Sequence, residues 1–351
     1  MPCRIGTDEL RQDTRRRAIL LTNGIAIDWI RCAVTCVAGA LLSVIAHGQV
    51  TELVTDTPPV VRDAVPAVLD LFEQYSIVAM SEGPHNNQKG HDFRLALVRH
   101  PRFGRLVDDV VVEFGSSRYQ SVMDRFTAGV DVPYRELRQV WENTTIPGPI
   151  WDVPIYYEFF AAIRDVNRAT GSHVRVLLGD PPVDWASIRS ADEINANYDE
   201  RDRYPATVIQ QEVLKKNRRA LIVYGEGHLL TSGRLGVGTL VDILQRESKA
   251  RVFTISNGYP DLSRFRRGAW PVPSLVMVKG TTVGGVSSAA GTPLALDFDA
   301  VLHLGGPSAL SWSELPKTVC DDRSYVKMRL ERFALGGDRA SEFKRLCGLP
   351  D

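Results

Sequence analysis

The chain has no excess of either charge: 42 lysines and arginines stand against 42 aspartates and glutamates in 351 residues. A protein that grips nucleic acid usually carries a basic surplus to displace counterions from phosphates, so this balance speaks against that partner class. Long hydrophobic runs are missing as well. The uncharged apolar stretch 32–46 has 15 residues, short of the roughly 20 a membrane-spanning helix needs. Cysteine is scarce, with five in all. Several catalytic motifs are absent too: there is no Gly-x-Ser-x-Gly elbow, no Walker loop, no dinucleotide glycine fingerprint after the first strand and no His-Glu-x-x-His. The familiar serine hydrolases, nucleotide-binding enzymes and zincins are therefore set aside.

What is there begins with a processing signal. The apolar stretch follows Arg31 and the cluster Arg15-Arg16-Arg17, and it ends in Ala46-His47-Gly48. A positive region, an apolar run and a small-x-small exit are the layout of a secretory signal peptide. We expect residues 1–48 to be removed, leaving a secreted or periplasmic protein with no integral membrane domain. Cys3, Cys32 and Cys36 would leave with the signal. Cys320 and Cys347 remain, without metal-site spacing, and a disulfide or two free thiols are both open.

After a proline-bearing linker and short helix over 49–75, apolar runs alternate with helical patterns. Strands are expected at Ile77–Met80, Val107–Val112, His173–Leu178, Ala220–Tyr224, Arg251–Ile255, Ser274–Val278 and Ala300–Leu304. That alternation predicts a single α/β domain over 76–351. Its sheet should be largely parallel and flanked by helices on both faces. The Gly-, Ser- and Ala-rich stretch after Thr281 reads as an excursion near the site.

Four of these strands finish in ionisable residues. Ser81-Glu82-Gly83-Pro84-His85 follows the first, Glu113 closes the second, Asp180 the third, and Gly225-Glu226-Gly227-His228 follows the fourth. Ligands of open α/β sheets bind beyond the carboxyl ends of the strands, so one shared site is expected there. A carboxylate three residues from an imidazole makes an acid–base pair or two ligands of one divalent metal. Equally, Glu82 could cap a helix and His85 lie in solvent. Glu113, behind four valines, would be costly to bury unless paired. Arg118 and Tyr119 open the next helix, where an arginine suits a substrate's anionic or carbonyl group. His91 is a candidate third imidazole.

These residues resemble the superfamily of erythromycin-esterase-like proteins, Tiki-type metalloproteases and ChaN-type haem-binding proteins. Glu82 and His85 match the esterase group's Gly-Glu-x-x-His, with Ser81 in place of its glycine, and Glu113 matches the glutamate closing the next strand. Arg201-Asp202 opening a helix, then Gly225, Gly227 and His228, are similar to the Tiki and ChaN pattern. The likeness spans roughly residues 76–306. Tyr204-Pro205-Ala206 departs from the ChaN helix, and Gly225 stands where the esterases carry a second histidine. The resemblance implies a hydrolase of an ester or peptide bond, with Glu82, His85, Glu113 and His228 as catalytic groups or as ligands of manganese, cobalt or zinc. Arg118, Tyr119, Arg201 and Asp202 would bind a small-molecule or peptide substrate. The alternative it implies is a non-catalytic haem or iron binder with Tyr119, Tyr198 or a histidine as axial ligand.

Overall fold

A computed structural model describes residues 54–231, 238–265, 270–336 and 339–350. The expected signal peptide and part of the linker lie outside the described residues. Eight strands form one sheet: β1 (Val61–Asp63), β2 (Ile77–Ser81), β3 (Asp109–Ser116), β4 (Arg175–Asp180), β5 (Ala220–Tyr224), β6 (Val252–Ser256), β7 (Ser274–Met277) and β8 (Ala300–His303). Their order is β1-β7-β8-β6-β2-β5-β3-β4. Neighbours from β8 to β4 run parallel. β7 is antiparallel to both β8 and β1.

The buried strands are the valine- and isoleucine-rich runs, as expected for a sheet covered by its crossovers. Successive side chains alternate between two apolar clusters. Val78 and Met80 of β2, with Leu221 and Val223 of β5, belong to the first. Ile77, Ala79, Ala220, Ile222 and Tyr224 belong to the second. The helix Gln88–Arg99, which follows β2, packs into the first cluster through Phe93, Leu97 and Val98. The helix Leu240–Ser248, which follows β5, packs into the second through Leu240, Val241, Ile243 and Leu244. After β2 and after β5, two adjacent strands, the following helices thus pack into different apolar clusters.

Helix ends obey local chemistry. Asn87, Ser190 and Thr239 each accept a backbone N–H of the first turn. The helix Pro154–Thr170 starts on proline and stops at Gly171 in a left-handed conformation.

Several expectations change. The expected short helix is present as Ala64–Leu71, but the segment also joins the sheet: β1 pairs with β7, and Ala64, Ala67, Val68, Leu69 and Phe72 are buried. A three-residue edge strand has too little periodicity to be seen in sequence. A 3-10 turn, Ser117–Tyr119, leads from β3 into the helix Gln120–Thr127. β3 continues past Val112, and its register against β4 shifts between Val112 and Ser116. Glu113 thus sits inside a strand, at the irregularity, rather than at its end.

The helices Arg323–Leu335 and Ala340–Leu346 close the chain, and Cys320 and Cys347 form a disulfide across them. The first helix is anchored by Arg329, which is buried and donates to both oxygens of Asp152 and to the Pro147 carbonyl. Arg332 donates to the Glu142 carbonyl at 2.5 Å and to Asn143. The C-terminal pair thereby holds the loop that carries Trp151. No helix among the described residues is long and apolar enough to cross a membrane.

Candidate active site

β2 delivers the first part of the site. The Glu82 N–H donates to the Tyr224 carbonyl at 3.0 Å, continuing the β2–β5 ladder by one residue. Its own carbonyl accepts from buried Arg94 and from Asn257, each at 3.3 Å. The backbone is thus pinned, and the Glu82 carboxylate is only 2% exposed. One of its oxygens meets His85 Nδ1 at 2.5 Å, and the other accepts the Tyr156 hydroxyl at 3.4 Å. The His85 ring stands edge-on to Trp151 with centroids 4.7 Å apart. Its side chain is 35% exposed, and Nε2 has no hydrogen-bond partner among the described residues. Burial pushes the imidazole pKa down, but the charges of Glu82 and Glu113 outweigh it and the net shift is upward.

β3 and β5 deliver the second part. Buried Glu113 is paired with Arg201, accepts the Gly225 N–H at 2.6 Å, and has His228 Nε2 3.5 Å away. His228 Nδ1 meets Asp202 at 2.8 Å, and the same Asp202 oxygen accepts Leu240 N–H at 2.7 Å. Burial opposes ionisation of both Glu113 and His228. Arg201 and His228 nevertheless hold the Glu113 carboxyl well below the carboxylate range, and Glu113 and Asp202 raise the imidazole to about 9. Asp180 lies 3.8 Å from Arg201 Nε and accepts the Thr145 N–H and hydroxyl, both at 2.7 Å. Burial pushes Asp180 up to about 7.

Gly225 is where the two parts meet. A Cβ there would stand 3.1 Å from the Glu113 carboxylate, 3.5 Å from His85 Cε1 and 3.8 Å from His228 Cδ2. The missing side chain keeps open the space between the imidazoles.

The structure thus gathers Glu82, His85, Glu113, Arg201, Asp202 and His228. It separates the others. Arg118 is a surface residue facing Asp184 at 3.5 Å, both nearly half exposed. The Tyr119 hydroxyl accepts from Asn143 at 2.9 Å, and its ring packs on the core. Arg201, expected to clamp substrate, is instead spent on Glu113. Glu226 turns away to Ser256 and to the Ala289 N–H, tying down the glycine-rich excursion. His91 is fully buried against Glu158, and burial lowers its pKa to about 3, so it is no third imidazole of the site. Trp151, Tyr156 and Arg94 were missed, because an aromatic or a single arginine in a loop or helix carries no sequence mark that separates a site neighbour from ordinary core or surface.

The donor set does not fit a metal. Among the described residues no three His, Cys, Asp or Glu side chains are arranged to hold one. The physical obstacle is Arg201, whose fixed positive charge occupies the Glu113 carboxylate that a cation would need. Glu82, His85, Glu113 and His228, expected as joint ligands if a metal is present, do not form one such group among the described residues. For haem, Tyr119 is already engaged, and Tyr198 lies half-exposed over the Arg201 guanidinium at 4.4 Å.

In comparisons with known proteins, no family model and no curated protein sequence matches the chain. Solved structures do. A mutant of the erythromycin esterase EreC in its open conformation aligns with 71% of this chain and 94% of its own, at TM-score 0.50 and 12% identity. The chain has the fold of that esterase. A Bacillus cereus protein aligns equally well, over 76% of this chain and 96% of its own, at TM-score 0.50 and 10% identity. ChaN of Campylobacter jejuni, described with cofacially bound haem, covers 69% of this chain and 91% of its own at TM-score 0.40 and 13% identity. At these identities the likeness is one of fold.

The His228 shift carries a stability prediction. An imidazole raised from about 6.5 to about 9 contributes stability that is complete below pH 6.5 and lost as pH rises toward 9. The loss should be on the order of 2–3 kcal/mol, counted once for the whole Glu113–His228–Asp202 cluster. Urea unfolding at pH 6, 7.5 and 9 should show this decline, and His228→Gln should largely remove it. An equal decline in the variant would assign the effect elsewhere.

Proposed function

We propose that this protein is a hydrolase of carboxylic esters, secreted or periplasmic, with its site at the carboxyl ends of β2, β3 and β5 in a sheet flanked by helices on both faces. The observation that carries this reading is the Glu82–His85 pair. A buried carboxylate fixes Nδ1 of the imidazole, leaving the accessible Nε2 without a partner beside a gap kept open by Gly225. That is the arrangement of an oriented general base.

In this mechanism His85 Nε2 removes a proton from a water as the water oxygen attacks the ester carbonyl carbon. Charge developing on the carbonyl oxygen is met by the His228 imidazolium, whose Nε2–H is held only loosely by Glu113 at 3.5 Å. The tetrahedral species collapses, the alkoxide leaves, and His85 returns its proton to it, giving acid and alcohol. Arg201 and Asp202 act by position: they keep Glu113 ionised and hold His228 charged and in place. An ester is favoured over a peptide because an alkoxide departs with less help than an amine, and the site offers one imidazole for that task. The disulfide Cys320–Cys347 and the apolar run at 32–46 support an oxidising, exported setting.

The test is hydrolysis of a p-nitrophenyl ester series by the purified chain, beside casein cleavage and an absorbance titration with haemin. Ester turnover that depends on His85 is the expected result. Casein cleavage alone would move the activity to peptides. A stoichiometric Soret band with no turnover would replace the hydrolase by a haem binder.

A further inference from the structure

A cavity of about 810 Å³ adjoins the turn that bears His85, within the roughly 300–1,000 Å³ range of small-molecule sites. One wall is the loop with Ile146, Pro149 and Ile150, and the facing wall is Leu315, Phe333 and Phe343. Asn86, directly after His85, is also in the lining. Asn86 adopts a left-handed backbone conformation, φ 65°, and its buried side-chain oxygen has no hydrogen-bond partner. Its N–H donates to the Tyr156 hydroxyl at 3.1 Å, the same hydroxyl that reaches Glu82. Its carbonyl accepts the Ser313 N–H at 2.8 Å, which joins the facing wall to the turn. Val153, also in the lining, lies two residues after the Trp151 that touches the His85 ring. Cavity and dyad therefore share their supports on two sides. Lys317, Arg339 and Arg345 stand at the cavity with Glu314 and Glu342.

We propose that this cavity is the specificity subsite of the proposed esterase, taking a bulky apolar acyl or alcohol group. The identification as a substrate subsite rests on the hydrolase reading above; the capacity to bind apolar ligands does not. The cavity is far larger than an acetyl group, which would leave most of it to water. Each methylene buried there favours the longer ester. The C-terminal helices, anchored by Arg329 on Asp152, thus act as the specificity wall of a site whose reacting groups lie on the sheet.

The experiment uses 1-anilinonaphthalene-8-sulfonate as a fluorescent probe of the cavity, and p-nitrophenyl octanoate against p-nitrophenyl acetate as substrates. Gly148→Leu narrows the cavity from the loop, where a Cβ would already stand 3.4 Å from Phe333. Leu315→Arg places a charge in the facing wall, and either variant suffices if it melts near the wild-type temperature. Wild type should bind one probe per chain and prefer octanoate by about 30-fold or more in kcat/KM. In the variants the octanoate-to-acetate ratio and the probe affinity should each fall by about 10-fold. Probe binding and ester ratio both unchanged in a folded variant would overturn the subsite and leave the hydrolase standing. Probe binding lost in the variants, with no ester cleaved by wild type, would uphold the apolar site and overturn the hydrolase.

Discussion

Replacing His85 with glutamine should lower kcat for ester hydrolysis by about 100- to 10,000-fold, the usual contribution of a positioned general base. KM should change little, because the imidazole acts on water rather than on the bound ester. Glutamine approximates the shape of the ring and can still hydrogen-bond Glu82, so the fold should survive and the loss should be chemical. Wild-type kcat/KM should rise with pH through an apparent pKa higher than the ordinary histidine value near 6.5, since only neutral imidazole accepts the proton and Glu82 holds the ring charged, and should fall again as pH passes about 9, where the His228 imidazolium loses its proton. Glu82→Gln should bring the lower inflection down, toward or below the ordinary value. This shift separates an orienting carboxylate from a merely structural one. A His85→Gln enzyme within about threefold of wild type would place the base elsewhere.

The largest stability effect should come from Arg201→Met. Arg201 is 6% exposed and neutralises Glu113, itself 2% exposed. Its removal strands a buried carboxylate, a loss of about 3–5 kcal/mol. For a domain of this size that is a melting-temperature drop of about 6–10 °C. Glu113→Gln in the same chain should restore much of it, because the stranded charge goes with the carboxylate. Arg201→Lys should fail to substitute, since one ammonium cannot keep the guanidinium's reach to Glu113 while remaining near Asp180. Thermal melts of the two single variants and the double form a cycle. A double variant no more stable than Arg201→Met would mean that charge pairing is not what Arg201 supplies.

Much of the architecture was legible in the chain. Strands β2, β3, β5 and β6 are buried on both sides and read as continuous apolar runs, and their alternation with helices announced a parallel sheet. The short edge strand β1 and the antiparallel turn of β7 were not legible. Pairing direction depends on how a connection folds back in space, and a three-residue strand leaves almost no pattern. Glu113 was found by its cost, a carboxylate behind four valines. Its place inside β3 was hidden because a register shift belongs to the pairing of two strands rather than to either one.

The site divides along the same line. The sequence alone determined the pieces: a carboxylate and an imidazole three residues apart after a strand, a glycine-framed imidazole after another, and an Arg-Asp pair opening a helix. Local spacing puts Glu82 and His85 within reach of each other, and the pinning of the Glu82 backbone by Tyr224, Arg94 and Asn257 decides that they meet. Only the tertiary structure decided that Arg201 faces inward to Glu113, that His91 is core, and that Trp151 packs against the His85 ring. Those assignments depend on distances between residues far apart in the chain and on how much water reaches them. Such distances are set by packing the whole sheet and its covering helices, and no short stretch of sequence contains them.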